Sequence, residues 1–140
     1  MKYTMETIKE KIQRWGSDLR QLEGTDRFEF LIEQARLIEP LEDQYKLPAF
    51  KIQGCASQLW VVPELRDSRL YLRVDSDAFI TRGTAAIIAD IFSGQLCTDI
   101  VKITKQDIAE LGIIEVLTPQ RQNGLSNMIG TIQQYAKIDN

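Results

Sequence analysis

The side chains best suited to covalent chemistry in this chain are its two cysteines, Cys55 and Cys97. Cys55 lies in "KIQGCASQLW", between a glycine and an alanine and just ahead of an apolar run. In that setting a thiol can act as a small hydrophobe, a metal ligand, a disulfide partner or a nucleophile. The rest of the inventory narrows the choice. No histidine occurs, which removes Ser-His-Asp and Cys-His catalysis, His-ligated zinc and an imidazole base. Two widely separated cysteines make neither a CxxC pair nor a four-thiolate cage. Spacing leaves a Cys55–Cys97 disulfide open, but a reducing cytoplasm disfavours it. Any cysteine chemistry here proceeds without an imidazole.

Gly54 can take backbone angles closed to other residues and lets another backbone come close. Ala56 and Ser57 are small. A thiol at such a loop tip can be reached by a reagent held on another protein. The alternative is a buried structural cysteine, the common fate of this residue type. Cys97, in "GQLCTDI" between a helix end and a helix start, reads as structural.

The elements around these residues must form one domain, 1–140, since 140 residues suffice to bury about two thirds of the unfolded surface. A net charge of -3 and a pI near 5.0 give no reason to expect nucleic acid or an anionic membrane as partner. No apolar stretch approaches the roughly 18 residues of a membrane span, and "MKYTMETIKEKIQ" is too charged for a signal peptide. The cytoplasm is the expected location.

Met5, Ile8, Ile12, Trp15, Leu19 and Leu22 recur at steps of three and four, which predicts a first helix with Thr4 as N-cap and a possible break at Gly16. Gly24 suits its end, and Thr25 or Asp26 can cap a second helix carrying Phe28, Leu31, Ile32, Ala35 and Ile38, with Pro40 limiting it. The period then changes. "FKIQG", "SQLWVV" and "RLYLRV" read as three short strands, with Pro63 and "RDS" between the second and third. Leu70, Leu72 and Val74 alternate with Arg69, Tyr71 and Arg73, the mark of a strand covered on one side. Ser76 or Asp77 can cap a buried helix containing Ile80, Ala85, Ile87, Ile88, Ile91 and Phe92, closed by Gly94. Short helices near Thr98 and over Lys105–Leu111 follow. "LTPQRQNGL" is a turn-rich approach to a last helix with an inner stripe of Leu125, Met128, Ile129 and Ile132. The expected class is α+β: a small antiparallel sheet of about three strands with helices mainly on one face.

Three ordered blocks resemble the SufE/CsdE family of sulfur-acceptor proteins. "KIQGCASQLWVV" is similar to the family's V-x-G-C-x-S-x-V-W around its reactive cysteine, with Ile52, Gly54, Cys55, Ser57, Leu59 and Trp60 at those places. "VDSDAFITRGTAAII" is similar to its G-D-S-D-A segment and following helix. "LTPQRQNGLSNMI" is similar to L-T-P-x-R-x-x-G-L-x-x-M-I. The resemblance covers residues 50–136; the N-terminal helices fit in pattern. Phe50 departs from a frequent asparagine, and Val74 replaces the glycine before D-S-D, which should stiffen that corner.

The resemblance implies a SufE/IscU-like fold and a sulfur carrier, an accessory to transfer and not a stand-alone enzyme. Cys55 would accept persulfide sulfur from a cysteine desulfurase (SufS/CsdA-like), stimulate it, and deliver to an iron–sulfur scaffold or another acceptor. Pyridoxal phosphate would belong to the desulfurase; this chain would hold neither it nor a cluster. Lys51 and Arg121 are candidate sources of positive potential for the thiolate or its loop. Asp75 and Asp77 read most simply as helix-capping carboxylates, and the resemblance adds a turn beside the cysteine loop where they could regulate exposure. Ser57 and Trp60 read as structural, with Trp60 between sheet and helices. The family tucks its cysteine under a loop that swings out on docking. Two other readings stay open: a thiol redox protein or sensor with Cys97 as resolving cysteine, and a non-catalytic binding module.

Overall fold

The computed structural model describes residues 5–138. Helix α1 (Ile8–Arg20) starts at a capping box in which Thr7 Oγ1 accepts from Glu10 N at 3.1 Å and Glu10 Oε1 accepts from Thr7 N at 2.8 Å. Thr7 therefore holds the role expected of Thr4, which lies outside the described residues. Met5 precedes the helix and is exposed. No break occurs at Gly16. That glycine faces inward, where a Cβ would stand 2.7 Å from Glu110 O, so its lack of a side chain permits close approach of another segment. Helix α2 (Thr25–Leu37) is entered through Gly24 at φ 57 with no side-chain cap, contrary to the expected cap at Thr25 or Asp26. Its buried positions are Leu31 and Ala35, while Phe28 is exposed.

Strands β1 (Leu59–Arg66) and β2 (Arg69–Ser76) form an antiparallel hairpin paired from Leu59↔Ser76 to Arg66↔Arg69. Asp67 and Ser68 turn it with both φ values positive, which matches the right-handed twist of the strands. Pro63 lies inside β1 and does not end it. This is tolerated because β1 is an edge of the order β1-β2-β3. The third strand is not "FKIQG". It is β3 (Gln95–Leu96), which follows the central helix and pairs with Leu70 and Arg69. "FKIQG" makes only the bridge Lys51↔Trp60, because Pro48–Phe50 is a 3-10 turn and the chain turns again at residues 53–54.

Helix α3 (Phe79–Phe92) is buried on nearly every side, as its composition predicts. Its Gly83 leaves no room for a Cβ against the backbone of Leu31, which fixes α2 close to it. After α4 (Cys97–Ile100), α5 (Lys105–Ala109) and a 3-10 turn at Ile113–Val116 comes α6 (Pro119–Ile138). The segment "PQRQNGL" is thus the opening of α6 itself: Pro119 suits a first helical turn, and Thr118 Oγ1 accepts from Arg121 N at 3.3 Å. The main core joins Leu59, Val61, Leu70 and Val74 of the sheet to α3 and to Leu125, Met128 and Ile132 of α6.

Alternation along β1 sends Trp60 and Val62 to the other sheet face. There they meet Leu41, with Tyr45 and Phe50 against them. Trp60 therefore does not fill the space between sheet and helices. It lies beneath a strap that covers part of the outer face, with Lys46 Nζ 5.4 Å from its ring centroid. Phe50, which stands where the family often has asparagine, adds its ring to this second cluster. Val74 is buried in the main core.

Candidate functional site

Cys55 sits in a six-residue loop, 53–58, at the closed end of a hairpin. Ile52 N donates to Leu59 O at 2.8 Å and Lys51 pairs with Trp60, so both ends of the loop leave the same place. Gly54 takes φ 77, the left-handed region that favours glycine. Side chains from other elements then hold the loop. Asn127 Nδ2 on α6 donates to Gln53 O at 2.7 Å. Asp77 Oδ1 accepts from Gln58 N at 3.0 Å, and Asp77 N donates to Gln58 O at 3.3 Å. Thr81 Oγ1 on α3 donates to Ser57 Oγ at 3.4 Å. The loop is docked by a few polar contacts and by packing of Cys55 against the main core, and not by a sheet.

Cys55 is a free, half-buried thiol. It lines a narrow recess together with Arg121 and Gly124 from α6, Thr81 and Thr84 from α3, and an apolar wall that includes Leu117 and Met128. Gly124 is what lets the loop lie flat on α6: a Cβ there would stand 2.9 Å from Cys55 Sγ. The recess thus brings Cys55 together with Arg121, Thr81 and Thr84 in mostly apolar surroundings. Low local polarity strengthens the field of any charge within it. Among the described residues no group of three or more cysteines or carboxylates could hold a metal ion.

The sequence-expected residues divide into three sets. Cys55 and Arg121 meet at the recess, with Gly54 and Ser57 on the loop itself. Asp77 lies against the loop, but neither it nor Ser76 caps α3, whose N-cap position is Ala78 with no side-chain hydrogen bond. The backbone N–H of Gln58 engages the Asp77 carboxylate instead. Asp75 is buried behind this corner, where Oδ2 accepts from Leu41 N at 2.8 Å and Oδ1 accepts from Ser76 N at 2.8 Å. Arg82 Nε faces Asp75 Oδ1 at 3.1 Å as a charge pair, and Arg82 Nη2 donates to Ile38 O at 3.0 Å. Asp75 and Arg82 together tie the strap to the β2–α3 corner. Lys51 is exposed at the hairpin base and does not line the recess. Cys97 is buried in the main core and does not line it either.

Sequence reasoning assigned no role to Gly124, Asn127, Thr81, Thr84 or Arg82. All five fall inside the resembling blocks, with Gly124 at a named position of the third, and a glycine within a helix costs about 1 kcal/mol relative to alanine, which is a signal of a close approach. Asn127 carries no such signal. Away from the recess, burial raises the Tyr135 phenol, the backbone N–H of Thr104 lowers Asp107, and the ion pair of Arg14 with Glu6 raises the former and lowers the latter. None of those groups lines the recess.

The SufE family model, an Fe-S metabolism associated domain, matches residues 13–136. An uncharacterised SufE-like protein of Rhizobium meliloti is 38% identical over 120 residues, covering 82% of this chain and 86% of that protein. An uncharacterised SufE-like protein of Synechocystis is 32% identical over 117 residues, covering 84% and 74% respectively. SufE-like protein 1 of Arabidopsis thaliana, described as chloroplastic/mitochondrial, is 34% identical over 111 residues, covering 79% of this chain and 30% of that protein. The solution structure of a hypothetical protein from Thermus thermophilus superposes with a TM-score of 0.74 and 17% identity, covering 91% and 93% of the two chains. At that identity the likeness concerns the fold alone, and it is the α+β fold described above. Among the described residues no helix is long and apolar enough to cross a membrane. The chain belongs to the SufE family, whose domain is associated with iron–sulfur metabolism.

Proposed function

We propose that this protein carries sulfur as a persulfide on Cys55, between a cysteine desulfurase and an acceptor in iron–sulfur cluster assembly. The Cys55 thiolate attacks the terminal sulfur of a cysteine persulfide on the desulfurase. A new S–S bond forms to Cys55, the partner's S–S bond breaks, and the partner's cysteine leaves as thiolate. The terminal sulfur keeps its proton, so no oxidant or reductant is consumed. Pyridoxal phosphate stays on the desulfurase, and emptying its persulfide is how this chain stimulates turnover. A reducing compartment, in the simplest case the cytoplasm, keeps the participating cysteines available as thiols.

The single observation that carries this reading is the placement of Cys55: a free thiol on a lightly docked loop, turned over a recess with Arg121 in its wall. The recess can shield S–SH from stray thiols, and release of the loop can present it. In this reading Arg121 is the cation that shares the recess with the carried sulfur, Gly54 and Ser57 shape the loop, and Asp77 holds its second end. Lys51, exposed at the hairpin base, contributes at the docking surface. Asp75 acts more remotely, through the corner. The redox alternative requires Cys97 to reach Cys55, and its burial in the core opposes that.

The test is desulfurase turnover with free cysteine as substrate. Wild-type protein should stimulate it, Cys55→Ser should abolish stimulation, and Cys97→Ser should retain it. Stimulation that survives Cys55→Ser would exclude the carrier mechanism. Alkylation of Cys55 should also be slow in the isolated protein and faster once the desulfurase is present; equal rates would remove partner-induced exposure.

A further inference from the structure

The two limbs of the cysteine loop are not held alike. The second limb, ending at Gln58, is fastened by a reciprocal pair of hydrogen bonds with Asp77 and then enters β1. The first limb, at Gln53 and Gly54, lies against α6, where the side-chain amide of Asn127 donates to Gln53 O at 2.7 Å. That is the shortest of the three side-chain bonds to the loop. It also crosses between the hairpin and α6, the helix that supplies Arg121 and Gly124 to the recess.

Two further observations indicate that the loop is shaped around this contact. Gly54 has φ 77, and any Cβ added there would strike Asn127 Nδ2. A side chain at position 54 would thus displace the Asn127 amide from the loop, while the left-handed backbone there already favours glycine. Asn127 is itself exposed in mid-helix, where asparagine is a weaker helix former than alanine, leucine or glutamine. Its amide contributes through the loop and not through the helix.

We propose that Asn127 is a positioning residue that latches the first limb of the Cys55 loop to α6 and so sets how often the thiol is presented. Loss of this donor frees residues 53–55 while Asp77 still holds residue 58, so the loop hinges at its second end. The effect follows from one hydrogen bond: its loss raises the open fraction about fivefold. The role matters for sulfur transfer only if Cys55 is the carrier, so its significance rests on the function proposed above. The latch itself is measured without a desulfurase, which keeps the two failures distinguishable.

The experiment measures second-order alkylation of Cys55 by iodoacetamide in the isolated full chain, with Asn127→Ala and Asn127→Asp beside wild type. Rates are compared on the high-pH plateau, where the thiolate fraction is equal in all three. Asp keeps the shape of Asn and replaces the N–H donor by an acceptor facing Gln53 O. The expected result is a rise of about fivefold for Ala and at least as much for Asp, with Cys97 still unlabelled and the melting temperature lowered by no more than a few degrees. Wild-type rates in both variants would overturn the latch. A rise in Ala alone would assign Asn127 a packing role and overturn the donor role. Parallel labelling of Cys97 would reveal general loosening and overturn it as well. A failed latch with intact Cys55-dependent stimulation would leave the carrier function standing.

Discussion

Cys55 and Cys97 are the same side chain in opposite situations. Cys97 opens α4 with its backbone N–H donating to Ser68 O at 2.9 Å, and its side chain is 1% exposed in the main core. It moves only when the β2–β3 edge and the core beneath it move. Cys55 is only half-buried, on a loop whose docking rests on Asn127, Asp77, the weak Ser57–Thr81 contact and its own packing against the core. What separates them is how much structure must open to expose each, because local openings cost far less than global unfolding.

The largest difference is expected when both thiols are labelled in the native protein. Cys97 should react only through global unfolding and hence at least about a thousandfold more slowly than Cys55. Comparable rates would erase the distinction. A smaller effect is expected from Gly124→Ala. The added Cβ would stand 2.9 Å from Cys55 Sγ, so either α6 or the loop must give way. The loop is the weaker partner, and overpacking of this kind should raise the Cys55 alkylation rate by about tenfold. An unchanged rate with a lowered melting temperature would instead place the strain in the helix. The smallest effect is expected from Cys97→Ala. Removal of one buried sulfur should cost about 1 kcal/mol, lowering the melting temperature by a few degrees while desulfurase stimulation persists. Loss of stimulation without loss of stability would give Cys97 a role in transfer.

The helices and the cysteine block were legible because their signals are local. The apolar stripes of α1 and α6 and the continuous burial of α3 follow directly from residue periodicity. What failed were features set by tertiary contact. "FKIQG" has strand composition, but Pro48 bends its start and Gly54 turns its end, leaving one bridge. Gln95–Leu96 is too short to show any alternation, although it is the true third strand. In "LWVV" every residue is apolar, so the sequence could not tell which face Trp60 would take. Asp77 has the composition of a cap, yet the Gln58 N–H claims its carboxylate. Within the site, Cys55, Gly54 and Arg121 could be picked out from the blocks that carry the family resemblance. Asn127 could not, because a single exposed asparagine on a helix has no periodicity to betray its partner.

The most direct measurement is mass spectrometry of the intact protein and its peptides after incubation with a cysteine desulfurase and free cysteine. The account predicts a gain of one sulfur atom, reversed by reductant and located on the peptide containing Cys55, with the Cys97 peptide unmodified. A protein that gains no sulfur while the desulfurase turns over, or one that gains it equally as Cys55→Ser, would contradict the account.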